Sequence, residues 1–284
     1  MFISELREPL FSFPSLPGSI TAGHSISDLA LRRFGILESD LAIDFNQKRP
    51  FLVTDILESC TREGPGRKVE TEFFWRLPVG KRIECLLALA YLETGTEIPV
   101  AFRCPNRNCG LELEVEISIE EIAAQQKEAY QTELVTVGIE NAELSLRRPT
   151  ASDQREWLKS SFTDEPSAVK AMVRTLLLDE AGQEAIESPS SSELIEVLEQ
   201  AMELHDPLVN FAVAAKCSSC GIENSLEIDL EELSLRHLWR AQSRLLTSVH
   251  ILAAKYHWSE PQIFAVPSWR RARYLSLIEK EKEQ

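Results

Sequence analysis

Four cysteines lie in two close pairs, and their thiolates are the side chains in this chain best suited to binding a metal ion. Cys104 and Cys109 form the first pair, and Cys217 and Cys220 form the second. Each pair fits within one tight turn, which is the local geometry that a tetrahedral site requires. Because two thiolates do not complete a four-coordinate site, we expect all four to bind one structural Zn²⁺ together. The alternative is that they are reduced cysteines with a packing role.

The sequence after each cysteine pair repeats, which indicates an internal duplication. Residues 110–122 align without a gap on residues 221–233, and each segment begins with the glycine that closes its cysteine turn. The positions that recur are Glu112, Glu116, Ile117, Glu120 and Glu121, which match Glu223, Glu227, Ile228, Glu231 and Glu232. The repeat therefore predicts two units, each made of a cysteine turn (a knuckle), a strand and the start of a helix.

Composition and charge restrict the class of protein. The chain has 284 residues, 44% of them hydrophobic and 26% charged, which is ordinary for a globular protein with a real core. A net charge of −15 argues against general nucleic-acid binding and favours a basic protein partner. We find no apolar run of membrane-spanning length and no signal-peptide pattern, and we expect a cytoplasmic protein. A reducing compartment favours metal binding over disulfides, and Cys60 and Cys85 are expected to be buried free thiols.

The residue patterns predict no catalytic site. The chain contains neither a Gly-x-Ser-x-Gly elbow nor a dinucleotide-binding glycine motif, and its glutamates fall in alternating or helix-surface positions. The histidines make no metal-ligand pattern; they are His24, His205, His237, His250 and His257. We therefore expect a protein that is not an enzyme.

The predicted fold class is α+β, with split zinc-ribbon-like β units, inserted helices and a helical C-terminal region. Residues 1–23 are expected to be an extended arm with apolar anchors at Phe11 and Phe13, lying on its own domain or on a neighbour. Residues 24–98 should be mainly helical, with a short helix from Ser27 to near Gly35 and a strand or helix over 51–60. The duplicated units are predicted at 99–234, with three helices in an insertion at 150–205. A helical cap at 235–284 begins with an amphipathic helix of about six turns.

A basic and aromatic cluster lies near the C-terminus. Arg270, Arg271 and Arg273 alternate with Trp269 and Tyr274. Such clusters bind nucleic acid in some proteins. Because the chain is acidic, we favour a helix surface that complements this chain or a protein partner.

Several of these segments together are similar to a known family. The segment from Cys217 to Leu230, followed by residues 245–260 and 270–275, resembles the baseplate-hub assembly chaperones of T-even-like phages and of contractile injection systems. Arg147-Arg148-Pro149-Thr150-x-x-Asp153 resembles a segment of the same proteins. The resemblance covers residues 70–280 and is closest in the C-terminal part. Two features depart from the pattern: His257 stands where a small residue such as glycine is expected, and the first knuckle has four residues between its cysteines.

The resemblance implies a non-enzymatic part of a contractile tail, either an assembly factor or a small baseplate component. Its partners would be baseplate, hub or spike proteins. The residues that we expect to contact them are Phe11, Phe13, Trp269, Arg270, Arg271 and Arg273. The alternative is a zinc-ribbon regulatory protein that associates with nucleic acid through the C-terminal basic cluster.

Overall fold

The computed structural model describes residues 10–16, 28–64, 67–91, 97–139, 142–188 and 191–282. These residues form helices and small antiparallel sheets, and the C-terminal part is helical, as predicted. Among the described helices, none is both long enough and apolar enough to cross a membrane.

The first sheet has three antiparallel strands in the order β1-β2-β3. They are β1 (Leu10–Ser12), β2 (Leu29–Arg32) and β3 (Thr61–Glu63). The predicted helix that should have ended near Gly35 is therefore wrong where the structure describes it; its start at Ser27 lies outside the described residues. Leu29 and Leu31 are two positions apart, so a strand directs both to one side, where both are buried.

The N-terminal arm lies on its own chain. β1 pairs with β2 in the register Leu10↔Arg32, and Phe13 and Leu16 after it join the hydrophobic core. The rest of the predicted arm, residues 1–9 and 17–23, lies outside the described residues.

A group of helices completes the N-terminal core: α1 (Glu38–Leu41), α2 (Arg49–Cys60), α3 (Thr71–Arg76) and α4 (Val79–Tyr91). α2 shows that segment 51–60 is a helix. Its Pro50 lies in the first turn, where the missing N–H costs nothing, and its buried residues repeat at helical spacing. α4 is buried along almost its whole length, so it is the central helix of this core.

The first knuckle unit consists of β4 (Glu97–Arg103), β5 (Glu112–Ser118) and α5 (Ile119–Ala129). β4 and β5 pair antiparallel, and the cysteine turn connects them. Ile98 and Ile117 on this ribbon pack into the same core as α4.

A hairpin precedes the insertion at 150–205, and the described part of the insertion contains four helices, one more than predicted. The hairpin is formed by β6 (Leu134–Ile139) and β7 (Ala142–Arg147), and residues 140–141 between the strands lie outside the described residues. The helices are α6 (Ala151–Trp157), α7 (Glu165–Leu176), α8 (Glu180–Glu187) and α9 (Ser192–His205). α8 was missed because it is short, contains Gly182 and buries only one large apolar residue, Ile186. The hairpin and α7 to α9 share a second core.

The second knuckle unit leads into the C-terminal helices. It consists of β8 (Ala212–Lys216) and β9 (Glu223–Glu227), followed by α10 (Leu230–Tyr256). The last helices are α11 (Glu260–Phe264) and α12 (Ser268–Lys282). α10 packs on α4 near its start and on α11 and α12 near its end, where Leu252, Ile263 and Ile278 form a third core.

Candidate metal centre

The first knuckle is a tight turn held by backbone hydrogen bonds. Cys104 directly follows β4, and its N–H donates to the carbonyl oxygen of Leu111 over 2.9 Å. The carbonyl of Asn106 accepts from the N–H groups of Cys109 and Gly110 at 2.9 and 3.1 Å. Gly110 closes the turn at a φ of +58°, a left-handed conformation that glycine adopts without steric cost.

The second knuckle repeats this construction. The N–H of Cys217 donates to the carbonyl oxygen of Ile222 over 2.9 Å, as Cys104 does to Leu111. Gly221, at a φ of +71°, matches Gly110. The two turns therefore differ in length but have the same entry and exit.

The equivalence extends to the helix that follows each ribbon. The side chain of Ser118 accepts from the N–H of Glu121 at the start of α5, and Asp229 accepts from Glu232 at the start of α10. Ser118 and Asp229 are the same position of the aligned repeat. Both side chains cap a helix N-terminus, so the repeat in sequence is also a repeat in structure.

The two knuckles face each other and bring four sulfur atoms together. The Sγ atoms of Cys104 and Cys220 are 3.7 Å apart, and those of Cys109 and Cys217 are 3.8 Å apart. All four Sγ atoms lie within 4.8 Å of one another. Each close pair joins one cysteine from each knuckle, so the cluster links the two ribbons.

These distances fit a tetrahedral metal site and not disulfides. Four sulfurs at about 2.3 Å from one ion, at tetrahedral angles, lie about 3.8 Å from one another. A disulfide requires a sulfur–sulfur distance of about 2.05 Å, and all six cysteines are free. The cluster predicted from the spacing of Cys104, Cys109, Cys217 and Cys220 is thus present, and it is compatible with a bound metal ion.

The local electrostatics favour a thiolate at Cys217. Backbone N–H groups of Cys220 and Ser219 donate to its sulfur and lower the pKa of the Cys217 thiol to about 6. A thiolate is the form that binds a metal. Cys104 and Cys217 are buried, Cys109 is half-buried and Cys220 is exposed, so the cluster lies at the edge of the protein with its inner half covered.

The two remaining cysteines lie in a different environment. Cys60 and Cys85 are fully buried in the hydrophobic core. Burial raises the pKa of Cys60 to about 12 and raises that of Cys85 as well. Both are neutral thiols that pack in the core, as the sequence predicts.

Comparison with protein families shows where this architecture belongs. The model of the family described as T4 bacteriophage base plate protein matches residues 46–234, about two thirds of the chain. The chain belongs to this baseplate family. The match includes both knuckles and the whole insertion, and it ends before most of α10, although the C-terminal part carried the closest resemblance in the sequence. Searches of curated proteins and of solved structures found no match.

Within the matched region, the Arg-x-Pro-Thr-x-x-Asp segment holds the junction between β7 and α6. The guanidinium of Arg147 donates to both carboxylate oxygens of Asp153, at 2.6 and 2.8 Å. Thr150 and Asp153 form a capping box at the start of α6. Arg148 points the other way and donates to four backbone carbonyls, those of Ala129, Thr132, Glu133 and His205. This segment therefore has a structural role.

Arg148 belongs to a buried polar cluster that sequence reasoning missed. Its guanidinium lies 3.9 Å from the ring centroid of Tyr130, and the ammonium of Lys81 lies 4.4 Å from the same ring. Asp206 is 2% exposed beside them, and burial raises the pKa of its carboxyl to about 6. The members come from α4, the end of α5, the end of β7 and the end of α9. No local sequence pattern connects these segments. The one sequence signal was the position of Arg148 inside the Arg-x-Pro-Thr-x-x-Asp segment.

The predicted partner-contact residues of the arm differ in exposure. Phe11 is half-buried in β1. Phe13 is 6% exposed and packs inside the chain, with its ring centroid 6.2 Å from that of Phe73. In this structure Phe13 anchors the arm, and its surface is not offered to a partner.

The C-terminal cluster is split in the same way. Trp269 is 58% exposed, and Arg270 and Arg273 are also exposed. Arg271 is buried; it donates to the carbonyl oxygen of Ile36 over 2.6 Å, and its guanidinium lies 4.8 Å from the Phe264 ring centroid. Arg271 therefore connects α12 to the N-terminal core.

Proposed function

We propose that this chain is a non-enzymatic structural or assembly protein of a phage-tail-like baseplate in a contractile injection system, acting by protein–protein binding. The family match across residues 46–234 carries this proposal, because it places the chain among baseplate proteins. The chain would act on baseplate, hub or spike proteins, either as an assembly chaperone or as a component of the particle.

The ion in the cysteine cluster would be a structural Zn²⁺ held by a split zinc ribbon. Four thiolates complete a tetrahedral zinc site and leave no position for a reacting water. The zinc would fasten the second knuckle to the first, and thereby fix the insertion and α10 relative to the N-terminal core. Sulfur–sulfur distances of 3.7 and 3.8 Å support this assignment.

The partner surface would include the exposed side chains of the predicted set. Trp269, Arg270 and Arg273 share the first turns of α12 and combine an apolar ring with two positive charges. Such aromatic and arginine side chains are enriched at the energetic centres of protein interfaces. Phe11 offers a smaller apolar surface on β1.

Co-purification with baseplate, hub and spike proteins of the same contractile system tests the proposed function. We expect the tagged chain to retain a baseplate, hub or spike protein through gel filtration, and we expect particles made without it to lack a complete baseplate by electron microscopy. Complete baseplates in its absence, together with no retained partner, would overturn the role. Mass spectrometry of finished particles separates a resident component, which is found in them, from a chaperone, which is not.

The metal is tested separately by native mass spectrometry and elemental analysis. We expect one zinc per chain, lost in Cys217→Ser and kept in Cys60→Ala, which removes a thiol that lies outside the cluster. A folded wild-type protein without metal would overturn the zinc ribbon and leave the baseplate role intact. The nucleic-acid alternative requires salt-sensitive DNA binding that is lost when Arg270 and Arg273 are both changed to Glu; Arg271 is left in place because it is buried.

A further inference from the structure

A second basic feature lies on the other side of the C-terminal helices. A cavity of about 280 Å³ opens between the β2–α1 loop, α10 and α12. It is lined by three arginines, Arg33, Arg244 and Arg271, and by His237, and no carboxylate lines it among the described residues. In a chain with a net charge of −15, a pocket without an acidic side chain departs from the rest of the composition.

The positive charge at this pocket is not neutralised on α10. The guanidinium of Arg244 is exposed and has no hydrogen-bond or ion-pair partner among the residues that the structure describes, and the same holds for the guanidinium of Arg240 one turn earlier. From Leu233 to Tyr256 the helix contains no acidic residue. Burial lowers the pKa of His237, and the positive charges of Arg244 and Arg240 lower it further. The helix face beside the pocket is therefore a region of positive potential.

The floor of the same pocket is apolar. Of its apolar lining residues, Leu275 is half-buried and Leu245 is 7% exposed, so both keep some surface that a ligand can reach, whereas Leu252 and Ile263 are fully buried. A free inorganic anion would leave this floor without a partner. A ligand that fits both parts has carboxylates for the arginines and at least one large apolar side chain for the floor.

We propose that this pocket binds an acidic, leucine- or phenylalanine-containing segment of a partner protein. The inference rests on the proposed baseplate role, because it names the chemistry by which the chain would hold a partner. Arg244 would contact a carboxylate at the rim, and the apolar side chain would lie on Leu245 and Leu275. Arg271, held by Ile36 and Phe264, would support the pocket from α12.

Fluorescence anisotropy with a short labelled peptide of glutamates interrupted by leucines tests the pocket. We expect salt-sensitive binding that weakens about tenfold or more in Arg244→Glu, since the reversed charge faces the ligand carboxylates. Arg76→Glu is the matched control: Arg76 is also exposed, its side chain has no hydrogen-bond or ion-pair partner among the described residues, the substitution makes the same change in net charge, and the residue lies outside the pocket lining. It should leave the affinity within about twofold.

Other outcomes would overturn the pocket. Equal loss in Arg244→Glu and Arg76→Glu would indicate only general charge attraction. Equal binding of a glutamate–serine peptide would show that the apolar floor is not used, and tighter binding of a labelled single-stranded oligonucleotide would assign the site to nucleic acid. Retention of the baseplate partner by Arg244→Glu would overturn the pocket and leave the proposed function standing. Peptide binding without any baseplate association would support the pocket and overturn the proposed function.

Discussion

The carboxylate of Asp206 lies against the N-terminal end of α4 at Gly80, whose backbone N–H donates to Oδ2 over 3.3 Å. Asp206 follows α9 directly, so this contact fastens the end of the helical insertion to the central helix of the N-terminal core. The approach is close because Gly80 has no side chain: a Cβ added there would lie 1.8 Å from Oδ1 of Asp206.

Gly80→Ala should therefore destabilise the protein, although alanine is the better helix former by about 1 kcal/mol. We expect the free energy of unfolding to fall by about 1–3 kcal/mol, because Asp206 must move and leave its buried position. Urea denaturation measures this. Gly138→Ala is the control, since an added Cβ there meets no atom within 4 Å and should change stability little. A Gly80→Ala protein as stable as the wild type would show that the Asp206 side chain can move away from residue 80 without a cost in stability.

Asp206 and His205 should give opposite pH dependences of stability. Burial lowers the pKa of His205 to about 4, so the unfolded chain binds that proton first and His205 makes stability fall as the pH drops from about 6.5 to about 4. Burial raises the pKa of Asp206 from 3.8 to about 6, so the folded chain binds that proton first and stability rises as the pH drops from about 6 to about 4. The Arg148 guanidinium keeps its positive charge throughout this range.

In the wild type the two contributions oppose each other. Relative to the wild-type slope, Asp206→Asn should make stability fall more steeply with acid, and His205→Gln should make it fall less steeply or rise. Urea midpoints at about pH 4.5 and about pH 7 measure both slopes. Slopes that change in the same direction in both variants would contradict the opposing pair.

The buried ion pair of Arg32 and Asp40 should be among the most sensitive positions of the N-terminal core. The two side chains are 5% and 0% exposed and lie 2.5 Å apart, and Oδ2 of Asp40 also accepts from the backbone N–H groups of residues 35–37. Asp40→Ala leaves a buried arginine charge without its carboxylate, and we expect a loss of about 3–5 kcal/mol. Asp44→Ala, at an exposed aspartate nearby, should cost less than about 1 kcal/mol by the same denaturation assay.

His257 should be a position where glycine is stabilising. It ends α10 at a φ of +57°, a left-handed conformation, and its N–H donates to the carbonyl oxygen of Ala253. Glycine adopts this conformation without steric cost, so His257→Gly should raise the free energy of unfolding by about 0.5–1 kcal/mol. His250→Gly, inside the same helix, should lower it by about 1 kcal/mol. A melting temperature lowered by both substitutions would indicate that the His257 side chain contributes contacts that outweigh backbone strain.

The sequence predicted those features that depend on neighbours in the chain. The knuckles, their closing glycines and the long α10 follow from local spacing, and the duplication supplied two copies of the same evidence. β2 was missed because a segment of four residues with two leucines is too short to distinguish the two-residue period of a strand from the 3.6-residue period of a helix. Arg271 was read as a surface charge, although its spacing to Leu275 and Ile278, four and seven positions later, places it on the apolar side of α12.

The features that the sequence did not predict are formed by distant segments. The cluster of Lys81, Tyr130, Arg148 and Asp206 draws on helices and strands that are separated by the knuckle and the insertion. Each residue alone has the pattern of a surface charge or a helix end. They are buried where the ends of α5, β7 and α9 meet the start of α4, and that arrangement is a property of the whole fold.

The pairing of Cys104 with Cys220 has a consequence for the order in which the protein matures. Each close sulfur pair joins one knuckle to the other, and 116 positions separate these two cysteines. During synthesis the first knuckle leaves the ribosome with only two thiolates, and the second follows after the entire insertion has been made. If the site takes up zinc, tight capture must wait until both hairpins have emerged and met. A tightly bound ion would then be found only in chains whose translation has passed the insertion. A chain truncated before Cys217 would bind its metal weakly and would be more exposed to degradation.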